Sequence, residues 1–193
     1  MIAVLDSGAG NLQSALNALK KIGAAAKPVA QPELLAKADK ILFPGVGSWG
    51  AVMSLLKSRG FYEALKESIA GGKPYFGICM GLQVLFEESE EDSGEGLSVL
   101  KGSVVKFGTP KVPQIGWNHA EANNENVLRS GYYYFINSYH VKPSDENVTG
   151  ARSNYMGEDF VAAVEKDNIT AVQFHPEKSA DAGLELLRRW SKS

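Results

Sequence analysis

Apolar and polar positions along the first half of the chain repeat one unit: an apolar run, a glycine-containing turn, then apolar residues at helical spacing. Ile2 to Leu5 is a continuous apolar run closed by Asp6, the pattern of a strand covered on both faces. From Asn11 onward, Leu12, Ala15, Leu16, Leu19 and Ile22 fall on one helical face, and Gly23 stands where a cap is wanted. "KILFPGVGS" (40–48) predicts a second strand and turn, followed by helices from Trp49 to about Lys57 and from Phe61 to Ala70. "KPYFGIC" (73–79) predicts a further strand, and "MGLQVLFEE" (80–88) the start of a further helix. Strand, turn and helix in alternation predict an α/β protein with a largely parallel sheet and helices on both faces.

The pattern changes in the second half. "GSVVKF" (102–107), "YYYFINSYHV" (132–141), "FVAAVEK" (160–166) and "ITAVQF" (169–174) read as strands, with turns at "DENVTG" (145–150) and "EKDN" (165–168). Few helices intervene, so these strands are expected to add to the sheet antiparallel. A last helix is predicted over "DAGLELLRRWSK" (181–192). With no linker, repeat or low-complexity segment, one domain over 1–193 is expected.

Composition narrows the function classes. Hydrophobic residues make up 44% of the 193, too many for a disordered chain, and the net charge is -2. Lys and Arg are scattered, so no basic face points to nucleic acid. No apolar run approaches the ~20 residues of a membrane span. "MIAVLDSG" has no basic region before its apolar residues, unlike a signal peptide. A single cysteine cannot form an internal disulfide, which agrees with a reducing compartment. A cytoplasmic location is expected.

That single cysteine is where chemistry enters. Cys79 lies in "GICMG", a G-x-nucleophile-x-G turn between a predicted strand and a predicted helix. Such an elbow thrusts its central side chain into the cleft at the carboxyl ends of parallel strands, where ligands bind in open sheets. A helix N-terminus beneath the thiol favours thiolate, and a basic neighbour is needed for full activation. The chain has three histidines, His119, His140 and His175. His175, in "VQFHPEKS", ends an apolar strand with Glu177 two residues on. Pro176 pushes His175 toward an extended conformation, in which residues i and i+2 point the same way, so Glu177 can hold the imidazole. Nucleophile, base and orienting carboxylate make a triad. "GAGNLQ" (8–13) partly matches a dinucleotide fingerprint, but Gln13 occupies the third glycine position.

Those motifs identify a resemblance. "GICMG" followed by "VQFHPEKS" resembles the class I, or triad, glutamine amidotransferases. "LDSGAGNLQS", "LFPGVGSWG", "FGICMGLQVLFEESEE", "PQIGWN", "YYYFINSYHV" and "VQFHPEKS" follow, in order and over essentially the whole chain, the glutaminase subunits of imidazole glycerol phosphate synthases. Two positions depart from that pattern: Ser7, where an aromatic residue is usual, and His140, where members vary. The resemblance implies Cys79 as nucleophile, His175 as acid and base, and Glu177 as its orienting partner. It implies an oxyanion hole from the backbone of Met80 and of Val46 and Gly47, the latter after a peptide reorientation. Gln83, Glu91 and the backbone of Ser138 and Tyr139 are the implied substrate contacts. Asn11 is expected to prop the "PGVG" segment, and Trp117, Tyr139 and Lys178 to face a partner. That implied partner is a (β/α)8-barrel cyclase subunit. It would receive the ammonia and convert phosphoribulosyl-formimino-aminoimidazole-carboxamide ribonucleotide to imidazole glycerol phosphate and aminoimidazole carboxamide ribonucleotide, in histidine biosynthesis. No metal or other cofactor is expected. Competing readings are a glutaminase serving another synthase, a related cysteine hydrolase without a partner, a non-catalytic binding module, and a flavodoxin-like cofactor binder.

Overall fold

The computed structural model describes residues 1–6, 11–124 and 127–193. Residues 7–10, which hold Ser7 and the glycines of "GAGNLQ", lie outside that description. The described strands are β1 (Ile2–Leu5), β2 (Ala26–Val29), β3 (Lys40–Gly45), β4 (Tyr75–Cys79), β5 (Glu88–Ser89), β6 (Gly102–Lys106), β7 (Gln114–Ala122), β8 (Gly131–Asn137), β9 (Tyr139–Pro143), β10 (Thr149–Tyr155), β11 (Glu158–Lys166) and β12 (Ile169–Val172). The helices are α1 (Leu12–Lys21), α2 (Glu33–Ala36), α3 (Trp49–Ser58), α4 (Phe61–Ala70), α5 (Met80–Gln83) and α6 (Ala180–Lys192).

The sheet runs β2-β1-β3-β4-β12-β11-β10-β7-β8. Neighbours from β2 through β12 are parallel, and every later pair along this path is antiparallel. β9 joins β11 to β6 on a branch, and β5 pairs with β6. This is the architecture the block pattern predicts: βα units build the parallel half and hairpins extend it.

Strand alternation divides the core in two. Ala3, Leu5, Ile41, Phe43 and Tyr75 face one side, against Leu35 of α2, Trp49, Val52 and Leu56 of α3, and Phe61 and Leu65 of α4. Ile2, Val4, Leu42, Phe76 and Ile78 face the other, against Ala15 and Leu19 of α1 and Leu186, Leu187 and Trp190 of α6. Phe76 and Trp190 rings sit 5.1 Å apart, tying the last helix to a central strand. Layers on both faces leave the strand ends as the place for a cleft. The carboxyl ends of β3, β4 and β12 bring together Gly45, Cys79 and the segment after Val172.

Three local readings change, and one strand comes without a reading. The expected helix over 80–88 stops at Gln83 and loosens into i-to-i+3 bonds, Leu85 N–H to Leu82 and Phe86 N–H to Gln83. Leu82, Val84, Leu85 and Phe86 are all buried, so this segment has no polar face to offer solvent. "YYYFINSYHV" is two strands broken at Ser138, which lets β8 pair with β7 while β9 crosses to β6 and β11. "DENVTG" is not simply a turn, because β10 begins at Thr149. β2 is a parallel edge strand with the sequence Ala-Lys-Pro-Val, and its proline and short length hide it from pattern reading.

Candidate active site

The elbow forms because three segments come within backbone contact. A Cβ on Gly77 would overlap the Gly81 carbonyl, and one on Gly81 would overlap the Phe43 carbonyl. Both glycines are thus required by close approach of α5 to β3 and β4. Tyr75 reinforces the turn by donating its hydroxyl to Gly81 O at 2.6 Å. The residue between them takes up the strain: Cys79 has φ 53° and ψ -104°, a conformation that side chains rarely adopt and that costs on the order of 1–3 kcal/mol. Sγ lies 3.9 Å from Ile136 O and 3.5 Å from Gln173 Nε2. Met80 opens α5, so its N–H has no acceptor within the helix.

His175 follows β12 and is buried. Its N–H donates to Tyr134 O at 2.8 Å, and its carbonyl accepts from Ser179 Oγ at 2.7 Å. Nδ1 lies 2.8 Å from Glu177 Oε1, and both side chains are almost wholly shielded from solvent. With Nδ1 committed to Glu177, Nε2 is the ring nitrogen left for Cys79. Burial alone would lower the imidazole's proton affinity. Its hydrogen bonds to Cys79 and Glu177 and the charges of both outweigh burial and raise its pKa from 6.5 to about 9. The backbone reason differs from the i, i+2 expectation. His175 is extended, as Pro176 demands, but Glu177 lies in a single 3-10 turn, Pro176–Lys178, that folds its carboxylate back. Glu177 Oε1 also accepts from Asn11 Nδ2 at 3.1 Å. The hydrogen bond shown for Asn11 is therefore with the carboxylate.

The other candidates fall around this centre. Gly45 ends β3 beside Cys79, and Gly47 has φ 118°, a conformation suited to glycine. Val46 is exposed. Gln83 is buried and donates through Nε2 to Tyr139 O at 3.2 Å and to Gln173 Oε1 at 3.1 Å. Asn137 Nδ2 also donates to Tyr139 O, at 3.1 Å, while Ser138 O accepts from Phe107 N–H. Glu91 Oε2 accepts from Trp49 N–H at 2.7 Å, holding the first turn of α3 immediately after "PGVGS". Trp117 is 53% exposed on the outer face of β7, beside Ile115 and Tyr132, with its ring edge-on to Tyr134. Lys178 is exposed on the turn after His175.

Two histidines lie elsewhere. His140 is buried against Phe107 and bonds through Nε2 to Glu158 Oε1 at 3.2 Å; that carboxylate is distant in sequence and invisible to local reading. His119 packs against Tyr132 on the hairpin. Two polar residues near the site were not anticipated. Ser179 Oγ bridges His175 O and Tyr134 N–H, and Gln173 touches the sulfur. Gln173 had a signal, a lone carboxamide inside the apolar run "ITAVQF". Ser179 had none. Among the described residues no group of three or more His, Cys, Asp or Glu is placed to hold a metal ion, and no helix is long and apolar enough to cross a membrane.

The arrangement is that of a buried thiol with an imidazole poised to protonate and deprotonate, beside the Met80 N–H that opens α5. The chain is similar in sequence and fold to known proteins. The description "Glutamine amidotransferase class-I" matches residues 3–191. The imidazole glycerol phosphate synthase subunit HisH of Methanothermobacter thermautotrophicus is 45% identical, over 98% of this chain and 97% of that protein. The chloroplastic imidazole glycerol phosphate synthase hisHF of Arabidopsis thaliana is 41% identical over 98% of this chain, but only 34% of its own length is matched. A crystal structure of a glutamine amidotransferase superposes with a TM-score of 0.79 at 24% identity, covering 100% of this chain and 99% of that one.

Proposed function

The chain belongs to the class-I glutamine amidotransferase family and, within it, to the HisH subunits of imidazole glycerol phosphate synthase, the glutaminase subunits of histidine biosynthesis; from that premise we propose how its residues carry the reaction. One observation carries the reading. The only cysteine sits strained at the end of β4, and the one histidine whose ring nitrogen is held by a buried carboxylate faces it.

Cys79 Sγ, as the thiolate whose proton His175 holds, attacks the γ-amide carbon of L-glutamine. The developing oxyanion takes the Met80 N–H and a second N–H from the Val46–Gly47 peptide. Each such donor is worth roughly a hundred- to a thousand-fold in rate. His175, charged at neutral pH, gives its Nε2 proton to the amide nitrogen, and ammonia leaves behind a γ-glutamyl thioester. The neutral imidazole then takes a proton from water, which attacks the thioester and releases glutamate. Glu177 holds the ring and steadies its charge without itself taking the proton. Gln83, Glu91 and the Ser138–Tyr139 backbone, all near the carboxyl edge of the sheet, are assigned to the amino-acid head group.

The ammonia goes to a cyclase partner, a (β/α)8 barrel, that makes imidazole glycerol phosphate and aminoimidazole carboxamide ribonucleotide. The matched share of the Arabidopsis synthase leaves room in that longer chain for such a unit. On this reading the partner covers the apolar outer face of β7 and β8 around Trp117, near Tyr139 and Lys178, with Asn11 as a relay. Residues 1–193 act as one glutaminase domain in the cytoplasm, where the thiol stays reduced.

The test is glutamate release by the isolated chain, by its complex with the cyclase, and by that complex with the cyclase's nucleotide ligand. Rates rising in that order are expected, because Gly47 lets the Val46–Gly47 peptide turn when the partner is loaded. Equal rates in all three would mean that the oxyanion hole is already formed and that no gate exists.

A further inference from the structure

Gln173 is a fully buried polar residue to which the mechanism above gives no part. It follows β12 directly, with its own N–H bonded to Ala162 O at 2.8 Å. A carboxamide in such a place costs free energy unless its polar atoms are paired. They are paired in a way that fixes the amide's direction. Gln83 Nε2 is a donor only, so the Gln173 atom it meets at 3.1 Å is Oε1. The opposite atom, Nε2, therefore faces Cys79 Sγ at 3.5 Å. The chain of amides continues outward, since Gln83 Nε2 also donates to Tyr139 O, which takes Asn137 Nδ2 as well.

Besides His175, whose ring bonds to the sulfur and carries the facing positive charge, two neighbours of the sulfur suit different protonation states. As a thiol, Cys79 donates its S–H to Ile136 O at 3.9 Å. As a thiolate it has no proton to give, and that carbonyl oxygen repels it. Gln173 Nε2 offers the thiolate a donor on another side. We infer that Gln173 is a thiolate-holding residue, whose side-chain N–H stabilises ionised Cys79 and whose Oε1 ties the sulfur's position to Gln83. This rests on the reading of Cys79 as nucleophile, and Gln173 acts by setting the charge and place of that sulfur. A donor to the charged form favours it over the thiol, so its loss makes the sulfur a poorer nucleophile near neutral pH.

The experiment is the rate of alkylation of Cys79 by iodoacetamide as a function of pH, on the full chain, with glutamate release measured in parallel. The chain has one cysteine, so thiol alkylation, read as the modified Cys79 peptide, reports this site alone. Gln173→Glu keeps the shape and the acceptor for Gln83 but sets a carboxylate against the sulfur. Gln173→Met keeps the volume and removes both contacts. Alkylation near neutral pH is expected to be about tenfold slower in Gln173→Glu and less slowed in Gln173→Met. Profiles superimposable on the wild type in both variants would overturn the inference. Should neither variant fold, the Gln173 side-chain amide proton in isotope-labelled wild type decides. Its resonance should move as Cys79 ionises and stay still in Cys79→Ala, and a resonance that never moves overturns the inference. A shifted alkylation profile with unchanged glutamate release would support Gln173's role and refute Cys79 as the nucleophile of glutamine hydrolysis.

Discussion

The Asn11 side-chain amide donates to Glu177 Oε1 at 3.1 Å, so residues 166 apart in sequence share the carboxylate that also holds His175. The other carboxylate oxygen, Oε2, is buried with no hydrogen-bond partner among the described residues. Asn11 is thus one of only two side chains shown to steady this group. Asn11→Ala should lower glutaminase kcat by about tenfold, the scale of one hydrogen bond to a charged group. KM for glutamine should change little, because Asn11 acts on the base and not on the substrate. A steady-state comparison of the complex with wild type and variant checks this. A change confined to KM would place Asn11 at the substrate.

His175 makes stability depend on pH. Its folded pKa of about 9 lies above the ordinary 6.5, so the native state binds the proton more tightly than the unfolded chain. That contribution is complete below about pH 6.5 and is lost as pH rises through about 9. Denaturant unfolding at mildly acidic and at alkaline pH should show wild type losing stability relative to His175→Gln across this window, by a few kcal/mol. A parallel pH dependence in the two proteins would mean that the imidazole is not held as a cation.

Ser179→Ala should destabilise the fold and slow catalysis together. The hydroxyl is fully buried, donates to His175 O and accepts from Tyr134 N–H; its loss strands that N–H, while His175 O keeps the Lys178 N–H. Stranded buried groups cost about 1–3 kcal/mol. The readouts are the thermal unfolding midpoint and kcat. An unchanged midpoint would mean that water replaces the hydroxyl at no cost.

Much of this was legible in the sequence, for a physical reason. Runs such as Ile2–Leu5 and Tyr75–Cys79 are covered on both faces, so their composition alone marks them as central strands. Cys79, His175 and Glu177 each sit in a short motif whose local geometry requires those residue types. What escaped depends on contacts distant in sequence. Gln114 to Ala122 contains glycine, asparagine and histidine, and is a strand because β8 and β10 pair with it. Glu158 reaches His140, and Ser179 reaches Tyr134, across a fold that no local window contains. Val84, Leu85 and Phe86 read as helix, but burial on every side leaves them a looser turn.

The elbow glycines should tolerate nothing larger. Gly81→Ala would drive a methyl group into the Phe43 carbonyl, and Gly77→Ala one into the Gly81 carbonyl. Each should cost about 3 kcal/mol or more, since backbone must move in a packed core. Gly72→Ala is the control: φ is 82° but nothing lies within 4 Å of the added atom, so only the backbone penalty of about 1 kcal/mol remains. Equal losses at Gly72 and Gly81 in chemical denaturation would remove close approach as the reason for the glycine.

Trp117→Ala should leave the isolated chain's stability within about 0.5 kcal/mol, because the side chain is half exposed. Binding to the cyclase should weaken by roughly thirtyfold, the effect of losing an interface anchor of about 2 kcal/mol. Lys178→Ala should instead weaken stimulation by the loaded cyclase while sparing synthesis from added ammonium. Calorimetric titration and paired activity assays separate the two. Unchanged affinity in Trp117→Ala would move the partner off the outer face of β7.

The central claim is that glutamine is opened on Cys79 and its ammonia handed to a second active site. It is tested most directly in the complex with the cyclase, by comparing synthesis of imidazole glycerol phosphate from glutamine and from ammonium salt in wild type and Cys79→Ala. The account predicts that the variant makes no product from glutamine and forms it from ammonium at the wild-type rate. Product formed from glutamine by Cys79→Ala, or loss of the ammonium reaction together with the glutamine reaction, would contradict it.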